Sequence, residues 1–216
     1  MKKYQIILAD PAWTISQMAN IPSGRPKSRP YKSMRQVEIF ELPIGEIADE
    51  NCILFLWATS PLLPEALHTM KCWGFDFKTV GFTWVKKNKK SDSWFWGMGW
   101  WTRSNPEFCL IGIKGHPKRQ AKNVHSVLDS RVEEHSKKPD CVRDKIVALC
   151  GELPRIELFA RQKTEGWDVW GNEVESDIAL SSLDKPLPDN KCNHECGSNG
   201  KCDFCEYRPS TLPDKE

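Results

Sequence analysis

Short apolar runs alternate with longer amphipathic or polar segments along most of the chain. Five runs have the length and the β-branched or aromatic content of buried strands, at residues 4–9, 52–58, 77–85, 107–114 and 155–160. Shorter runs at 124–128 and 167–171 predict two further, peripheral strands. The run 4–9 is apolar on both faces, which is typical of a central strand.

Helical patterns lie between these runs. The segments 61–73 and 139–150 carry an apolar face at helical spacing, and each is followed by a glycine, a residue that commonly ends a helix. A shorter helix is predicted to begin at the capping-box pattern that Ser33 opens and to end before Pro43. Strands that alternate with helices predict an α/β fold with a largely parallel sheet.

Composition narrows the class of protein. The 216 residues suffice for one sizeable domain with an appendage, and the net charge of +2 gives no global signature of a nucleic-acid binder. No apolar run approaches the roughly 20 residues of a membrane helix, and the N-terminal run is too short for a signal peptide. We therefore expect a cytoplasmic protein with no membrane association, whose nine cysteines are reduced.

The composition changes near the C-terminus. Residues 178–191 are polar and contain two prolines, which predicts a linker after a domain of residues 1–177. The tail 192–216 then contains four closely spaced cysteines: Cys192, Cys196, Cys202 and Cys205. Four thiols in a reduced, short segment favour a structural zinc, because such a segment hardly orders itself without metal. The alternative is an unstructured thiol-rich tail.

The stretch after the first predicted strand carries the clearest chemistry. Asp10, Pro11 and Trp13 lie where a parallel sheet binds ligands, at the carboxyl end of a strand. A carboxylate and a proline carbonyl can accept hydrogen bonds from the exocyclic amine of a base, while the indole stacks on its ring. These bonds localise the lone pair of the amine and favour its attack on a sulfonium methyl group. Taken alone, an Asp-Pro turn is more often structural.

A lysine-rich and aromatic segment separates the third and fourth predicted strands. Residues 86–90 contain four lysines, and residues 94–101 contain four tryptophans and two glycines without a regular period. The tryptophans are able to form a small satellite core, and the lysines a solvated turn. The glycines and the flanking lysines favour instead a loop that closes over nucleic acid, with lysines on phosphates.

The stretch from Asp10 to Trp13 resembles the Asp-Pro-Pro-Trp motif of the MT-A seventy family of adenine N6-methyltransferases, which use S-adenosylmethionine (SAM). Further blocks match this family in order, at residues 55–59, 84–86, 107–115, 136–140, 157–161 and 167–173. The resemblance spans roughly residues 3–175 and points to a bacterial or phage-like member. It implies an α/β, Rossmann-like SAM-dependent methyltransferase with permuted motif order, here followed by a short Cys-rich C-terminal tail.

The resemblance also implies residue roles. Its catalytic positions are Asp10, Pro11 and Trp13. Its substrate-binding positions correspond to Tyr31, Trp57, Glu107 and Lys138. Its SAM-binding positions correspond to Asp10, Ser136, Lys138, Phe159, Arg161, Thr164, Asn172 and Glu173. From its position at a strand end, Trp57 is equally able to be a core residue, whereas Trp73 and Trp84 are expected in the core.

Two positions depart from the family pattern. Ala12 replaces the second proline of the motif, which loosens the turn. Lys163 and Thr164 stand where many members have a His-Asn pair, so the ribose of SAM must be contacted differently there. The animal members also hold the SAM adenine through residues that precede the first strand, and we expect another arrangement here.

The implied activity is methylation of the 6-amino group of adenine in DNA, with RNA as the alternative substrate. A duplex target requires base flipping, because the amine is otherwise engaged in pairing. The competing interpretation is a non-catalytic nucleic-acid-binding member, but such members lose the acid or the ring that Asp10 and Trp13 retain. A third is a zinc-dependent interaction module with a vestigial domain that binds SAM too weakly to measure.

Overall fold

A central sheet and flanking helices make up the part of the chain that the structure, a computed structural model, describes: residues 2–13, 34–99, 101–133 and 137–180. The strands are β1 (Tyr4–Ala9), β2 (Ala48–Thr59), β3 (Asp76–Lys87), β4 (Glu107–Lys114), β5 (Val127–Arg131), β6 (Arg155–Leu158) and β7 (Asp168–Trp170). The helices are α1 (Gln36–Phe40), α2 (Ile44–Ile47), α3 (Leu63–Cys72) and α4 (Cys141–Cys150).

The seven strands form one sheet in the order β5-β3-β4-β2-β1-β6-β7. β1 runs parallel to its neighbours β2 and β6, and β3 and β6 run parallel to β5 and β7. Among the described strands, β4 alone runs against its neighbours. The prediction of a largely parallel α/β sheet is therefore confirmed, with one reversed strand that the apolar pattern did not indicate.

The antiparallel direction of β4 matters for the position of one acid. In its pairing with β2, Lys114 lies opposite Cys52 and Glu107 lies opposite Thr59. The first residue of β4 thus lies beside the last residue of β2. Glu107 therefore reaches the same sheet edge as the carboxyl ends of the parallel strands.

Both faces of the sheet are covered, as predicted for its central strand. On β1, Ile7 and Ala9 pack into the cluster that contains residues of α1, α2 and α3, while Ile6 and Leu8 pack with residues of α4. Each fully buried isoleucine or leucine contributes about 1.5–3 kcal/mol. The alternation fixes β1 firmly, so the residue after it has a defined position.

Element bounds differ from the sequence prediction where polar residues take part. β2 begins at Ala48 through exposed residues, and β5 is shifted to Val127–Arg131 because it pairs with Thr83–Lys87 of β3. The predicted helix 61–73 divides into a 3-10 turn, Ser60–Leu62, and α3. α2 was not predicted, since four residues are too few for a visible helical period. Trp73 and Trp84 are buried, which confirms their prediction as core residues.

Several predictions fall on residues outside the described ranges. The helix start at Ser33 is one, and α1 is instead seen to begin after Arg35, whose backbone N–H donates to the Glu38 carboxylate at 2.7 Å. The linker and the Cys-rich tail are others, so the domain division and the zinc stay predictions. All described residues belong to the compact unit Met1–Ser182. In the described ranges, every helix is too short or too polar to span a bilayer.

Candidate active site

Four segments distant in sequence meet at the carboxyl edge of the sheet. Asp10 follows β1, Glu107 opens β4, Lys86 lies near the end of β3, and Lys138 precedes α4. Each segment is positioned by a strand or by the turn that leads into a helix. The arrangement assembles charged groups over a hydrophobic sheet, where their mutual interactions are stronger than in water.

These four side chains form a row of alternating charge. The Lys138 ammonium donates to both Asp10 carboxylate oxygens at 2.8 Å, and it lies 3.3 Å from the Glu107 carboxylate. The Lys86 ammonium donates to the other Glu107 oxygen at 2.5 Å. We call Lys86, Glu107, Lys138 and Asp10 the four-charge row. It brings together three of the sequence-predicted site residues and adds a fourth.

The row sets the protonation states of its members. Burial by itself lowers the pKa of Lys138, but Asp10 and Glu107 outweigh it, so that this pKa lies above its ordinary value. Burial acts to raise the pKa of Glu107, yet Lys138 and Lys86 lower it overall. Burial raises the pKa of Asp10, and Lys138 opposes that effect only in part. At neutral pH, Lys138 is therefore a cation and Glu107 an anion.

Two tryptophans lie next to the four-charge row. The indole N–H of Trp13 donates to the Trp57 carbonyl at 3.2 Å, which joins the turn after β1 to β2. Trp57 is only 2% exposed and lies in the core. Its ring centroid is 5.6 Å from the Lys138 ammonium, a cation–π distance. Trp57 thus lies beneath Lys138, and its predicted role in substrate binding stays a prediction.

The turn from Asp10 to Trp13 is held by its own backbone. The Trp13 N–H donates to the Pro11 carbonyl at 2.8 Å, and the Met34 N–H donates to the Ala12 carbonyl at 3.1 Å. A carbonyl oxygen has two lone pairs, so Pro11 retains one for a ligand. The Met34 contact holds Ala12 in place where the family motif has its second proline.

Lys86 and Asn105 were missed as site residues by the sequence analysis, which placed Lys86 among phosphate-binding lysines. The Asn105 side chain accepts from the Lys86 N–H at 2.9 Å and donates to the Lys86 carbonyl at 2.9 Å and the Phe95 carbonyl at 2.5 Å. Asn105 is buried and lies just before Glu107. The Trp84–Glu107 register of β3 and β4 explains the proximity, but the sequence does not reveal that register.

Five of the eight predicted SAM positions follow β6 or β7 in the chain. Ala9 pairs with Leu158, so Asp10 and Phe159 are neighbours just past the two strands. Phe159 has a φ of 62°, which costs roughly 1–2 kcal/mol for a residue other than glycine. Its ring contacts Trp170 edge-on, with 5.3 Å between centroids. Backbone strain of this kind is found at ligand sites.

The remaining SAM positions lie in the following turns. Arg161 and Glu173 form an ion pair at 3.7 Å, and Asn172 is exposed beside it. The Thr164 hydroxyl is buried and makes no hydrogen bond within the described structure. A side chain at Gly171 would overlap the Ala160 backbone, so only glycine permits this approach. Tyr31 and Ser136 lie outside the described residues.

A second buried ion pair secures the Lys138 segment. The Arg143 guanidinium in α4 donates to both Glu157 oxygens at 3.2 and 3.1 Å and also binds Asp140. Burial raises the pKa of Glu157, and Arg143 opposes it. This ion pair between Arg143 and Glu157 fixes α4 against β6. It thereby also fixes the segment that carries Lys138. Sequence analysis had matched residues 136–140 and 157–161 to family blocks without predicting this contact.

The aromatic segment does not form a satellite core in its described part. Trp96, Met98 and Trp101 are 61%, 86% and 99% exposed. Residues 88–99 and 101–106, called the aromatic loop below, join β3 to β4 beside the four-charge row. Within the described ranges, no group of histidine, cysteine or acidic side chains is arranged to hold a metal ion.

The mixed seven-stranded α/β sheet fits a methyltransferase fold, with an acid at the end of β1 and turns after β6 and β7 where a parallel sheet can bind ligands. Residues 4–173 match the model of the MT-A70 family, and the chain belongs to that family. The sequence resemblance to it is therefore confirmed.

Relatives refine the comparison. The chain is similar to the Type II methyltransferase M.MunI of a Mycoplasma species, with 34% identity over 80% of this chain and 78% of that protein. It is 26% identical to the N(6)-adenosine-methyltransferase MT-A70-like protein of Drosophila melanogaster, over 91% of this chain and 32% of that protein. It is 28% identical to the human N(6)-adenosine-methyltransferase catalytic subunit METTL3, over 80% and 28% of the two chains. It thus spans about a third of these animal relatives and resembles a bacterial member in length.

Proposed function

We propose that this protein transfers a methyl group from SAM to the 6-amino group of adenine in DNA. The observation that carries the proposal is Asp10, which lies at the end of a central strand with both oxygens held at 2.8 Å from Lys138. Pro11 and Trp13 follow it in a hydrogen-bonded turn. This is the hydrogen-bonding and stacking set that an aminated ring requires.

The residues at the neighbouring edge fit SAM. The Asp10 carboxylate and the Phe159 ring suit a positively charged sulfur, and the orphaned Thr164 hydroxyl and the Arg161–Glu173 pair suit a ribose and an amino acid group. When bound, SAM supplies an electrophilic methyl group. Phe159 follows the strand residue that pairs with Ala9, and its backbone lies in the left-handed region, which supports a ligand-binding turn next to Asp10.

In the proposed reaction, Asp10 accepts a hydrogen bond from the amine while it stays bound to Lys138. A carboxylate offers about four lone-pair sites, so Lys138 need not leave. The Pro11 carbonyl accepts the second amine hydrogen, and Trp13 restricts the position of the ring. Lys138 favours the ionised form of Asp10 and orients its carboxylate. The proton that nitrogen loses after transfer leaves to solvent, which reaches the Asp10 side chain at 31% exposure.

The choice of DNA rests on the bacterial relative. The chain covers most of the Type II methyltransferase and about a third of the N(6)-adenosine-methyltransferases. RNA is the second candidate, because the latter relatives are named for adenosine, the ribonucleoside. In either polymer the chemistry at Asp10 is the same.

The test is transfer of a labelled methyl group from SAM to unmethylated DNA of mixed sequence and to RNA of the same sequence. We expect N6-methyladenine in DNA, identified by mass spectrometry of the nucleosides. Asp10→Asn keeps the shape of the side chain but removes its charge, and we expect a loss of at least about 100-fold in rate. The matched control is Asp76→Asn, at an exposed strand residue, with unchanged activity.

Three results would contradict the proposal, each in a different part. Transfer by Asp10→Asn at the wild-type rate would remove Asp10 from the mechanism. Methylation of RNA but not of DNA would keep the mechanism and replace the substrate. A protein that binds SAM but transfers no methyl group to either polymer would be the non-catalytic family member.

A further inference from the structure

The tip of the aromatic loop exposes large apolar side chains to solvent. Trp96, Met98 and Trp101 are 61%, 86% and 99% exposed, although such side chains are normally covered. The Arg103 guanidinium lies 3.2 Å from the Met98 sulfur, so a cation accompanies the apolar tip. A surface of this composition calls for a partner that is both apolar and negatively charged.

The root of the loop is held firmly and is rich in lysine. The Phe95 N–H donates to the Lys86 carbonyl at 2.9 Å, and the Gly97 N–H donates to the Ser104 carbonyl at 2.7 Å. Asn105 adds its three hydrogen bonds to Lys86 and Phe95. Lys89 and Lys90 are exposed at one side of this root. The tip therefore projects from a fixed base.

The base of the loop is joined to the reacting position. Lys86 belongs to the four-charge row, and Glu107 follows the loop by one residue. Three ion-pair contacts, through Glu107 and Lys138, then lead from Lys86 to Asp10. The root of the loop is consequently connected to Asp10 through the four-charge row.

We propose that Met98 and Trp101 form a wedge that enters double-stranded DNA next to the target adenine. The inference rests on the proposed function for its substrate. An adenine that reaches Asp10 leaves a gap in the base stack, and apolar side chains such as methionine fill such gaps and separate base steps. The tryptophan face stacks on the exposed neighbouring base, while Lys89, Lys90 and Arg103 contact phosphates.

Charge favours DNA over a protein or a second copy of the chain as the occupant. The cations of the loop are Lys89, Lys90 and Arg103, which are all exposed, whereas its acid in the described residues is Asp92. Asp92 is itself paired with Arg131 at 3.0 Å. The exposed cations flank an apolar tip, which matches a phosphate backbone on either side of a base stack.

The first experiment measures binding of the full-length chain to a fluorescently labelled, mixed-sequence DNA duplex and to one of its separated strands, by anisotropy at several salt concentrations. For the double variant Met98→Ala/Trp101→Ala, called the wedge variant below, we expect a Kd for the duplex that is roughly 5- to 100-fold higher than for the wild type. For the single strand we expect a change in Kd of about threefold or less. Lys89→Ala/Lys90→Ala should weaken binding to both and lower the salt slope by about 2.

The matched control is Phe77→Ala/Val80→Ala, which removes two exposed apolar side chains of β3 outside the loop. We expect it to bind both DNA forms as the wild type does. A loss in this control equal to that of the wedge variant would overturn the assignment to Met98 and Trp101. So would an equal loss on the duplex and the single strand, because the loop would then be a single-strand platform.

The second experiment separates this inference from the proposed function. Methyl transfer is compared on native and heat-denatured mixed-sequence DNA, and the wedge variant should lose more activity on the native form. If the wild type methylates no DNA, the proposed function fails, while the binding measurement still decides whether the wedge enters a duplex. Unchanged duplex binding by the wedge variant overturns the proposal. In that case, a loss of self-association by the variant in ultracentrifugation would show that the tip contacts a second copy of the chain.

Discussion

Removal of the central cation of the four-charge row tests the account of the site most directly. Lys138→Met keeps the length of the side chain and removes its charge. Asp10 and Glu107 then face each other without the ammonium that lies 2.8 and 3.3 Å from them. Both carboxylates remain partly covered, so water compensates them incompletely.

The size of the effect follows from burial. Breaking a buried ion pair by removal of one partner costs about 3–5 kcal/mol. Here the loss should be smaller, about 2–4 kcal/mol of unfolding free energy, because Asp10 is partly exposed and Lys86 still neutralises Glu107. With a typical slope, the urea midpoint should fall by about 1 M.

The pH dependence provides the sharper signature. Loss of Lys138 raises the pKa of both Asp10 and Glu107 in the folded state, so that ionised Asp10 opposes folding more, and ionised Glu107 favours folding less, than in the wild type. Lowering the pH protonates them and relieves the repulsion. The stability deficit of Lys138→Met should therefore be largest near pH 8 and shrink towards pH 5.

The chain offers its own control one residue earlier. Lys137 pairs with Glu133 and Asp140 at the surface, so Lys137→Met should cost about 0–1 kcal/mol. Adding Asp10→Asn to Lys138→Met should recover a large part of the loss. The reasoning is refuted if Lys138→Met costs no more than Lys137→Met, or if its deficit grows as the pH falls.

Three further predictions concern activity, the SAM edge and the tail. In a pH–rate profile, kcat/KM should fall at low pH as Asp10 is protonated. Lys138→Gln should move this fall to higher pH, because Lys138 lowers the pKa of Asp10. A fall at the same pH in both proteins would contradict the ion pair between Lys138 and Asp10. Gly171→Ala should lower the free energy of unfolding by about 1–3 kcal/mol and weaken SAM binding as measured by calorimetry. The control is Gly74→Ala, which is strained only by its φ of 81° and should leave the SAM affinity unchanged. We also propose that the tail binds one zinc ion, which metal analysis of the purified protein should detect. Cys202→Ser should release the zinc and increase the protease sensitivity of the tail. A wild-type protein without zinc would contradict the proposal.

The sequence sufficed to predict the parts of the fold that hydrophobic burial dictates. The bounds of β1 and β4 are those of their apolar runs, and the position of Asp10 at a strand end follows from the first of them. The sequence analysis also predicted Trp73 and Trp84 as core residues, and both are buried. These features depend on local pattern, which a sequence displays directly.

Other features depend on pairing that no local pattern displays. A strand covered on both faces has the same composition in either direction, so the reversal of β4 and the arrival of Glu107 at the site edge could not be read from it. The contacts of Lys86 and Asn105 follow from that reversal. The left-handed backbone of Phe159 is likewise unpredicted, because phenylalanine does not favour it.

The reversal of β4 has a consequence for how recognition can diverge in this protein. β3 and β4 are adjacent antiparallel strands, so the aromatic loop leaves and re-enters the sheet at one edge, and Asn105 closes its root. Insertions or exchanges beyond that closure should therefore leave the register that positions Glu107 unchanged. On the proposed function, the loop would therefore be an exchangeable module, whose replacement would change target preference while Asp10, Glu107 and Lys138 keep their positions.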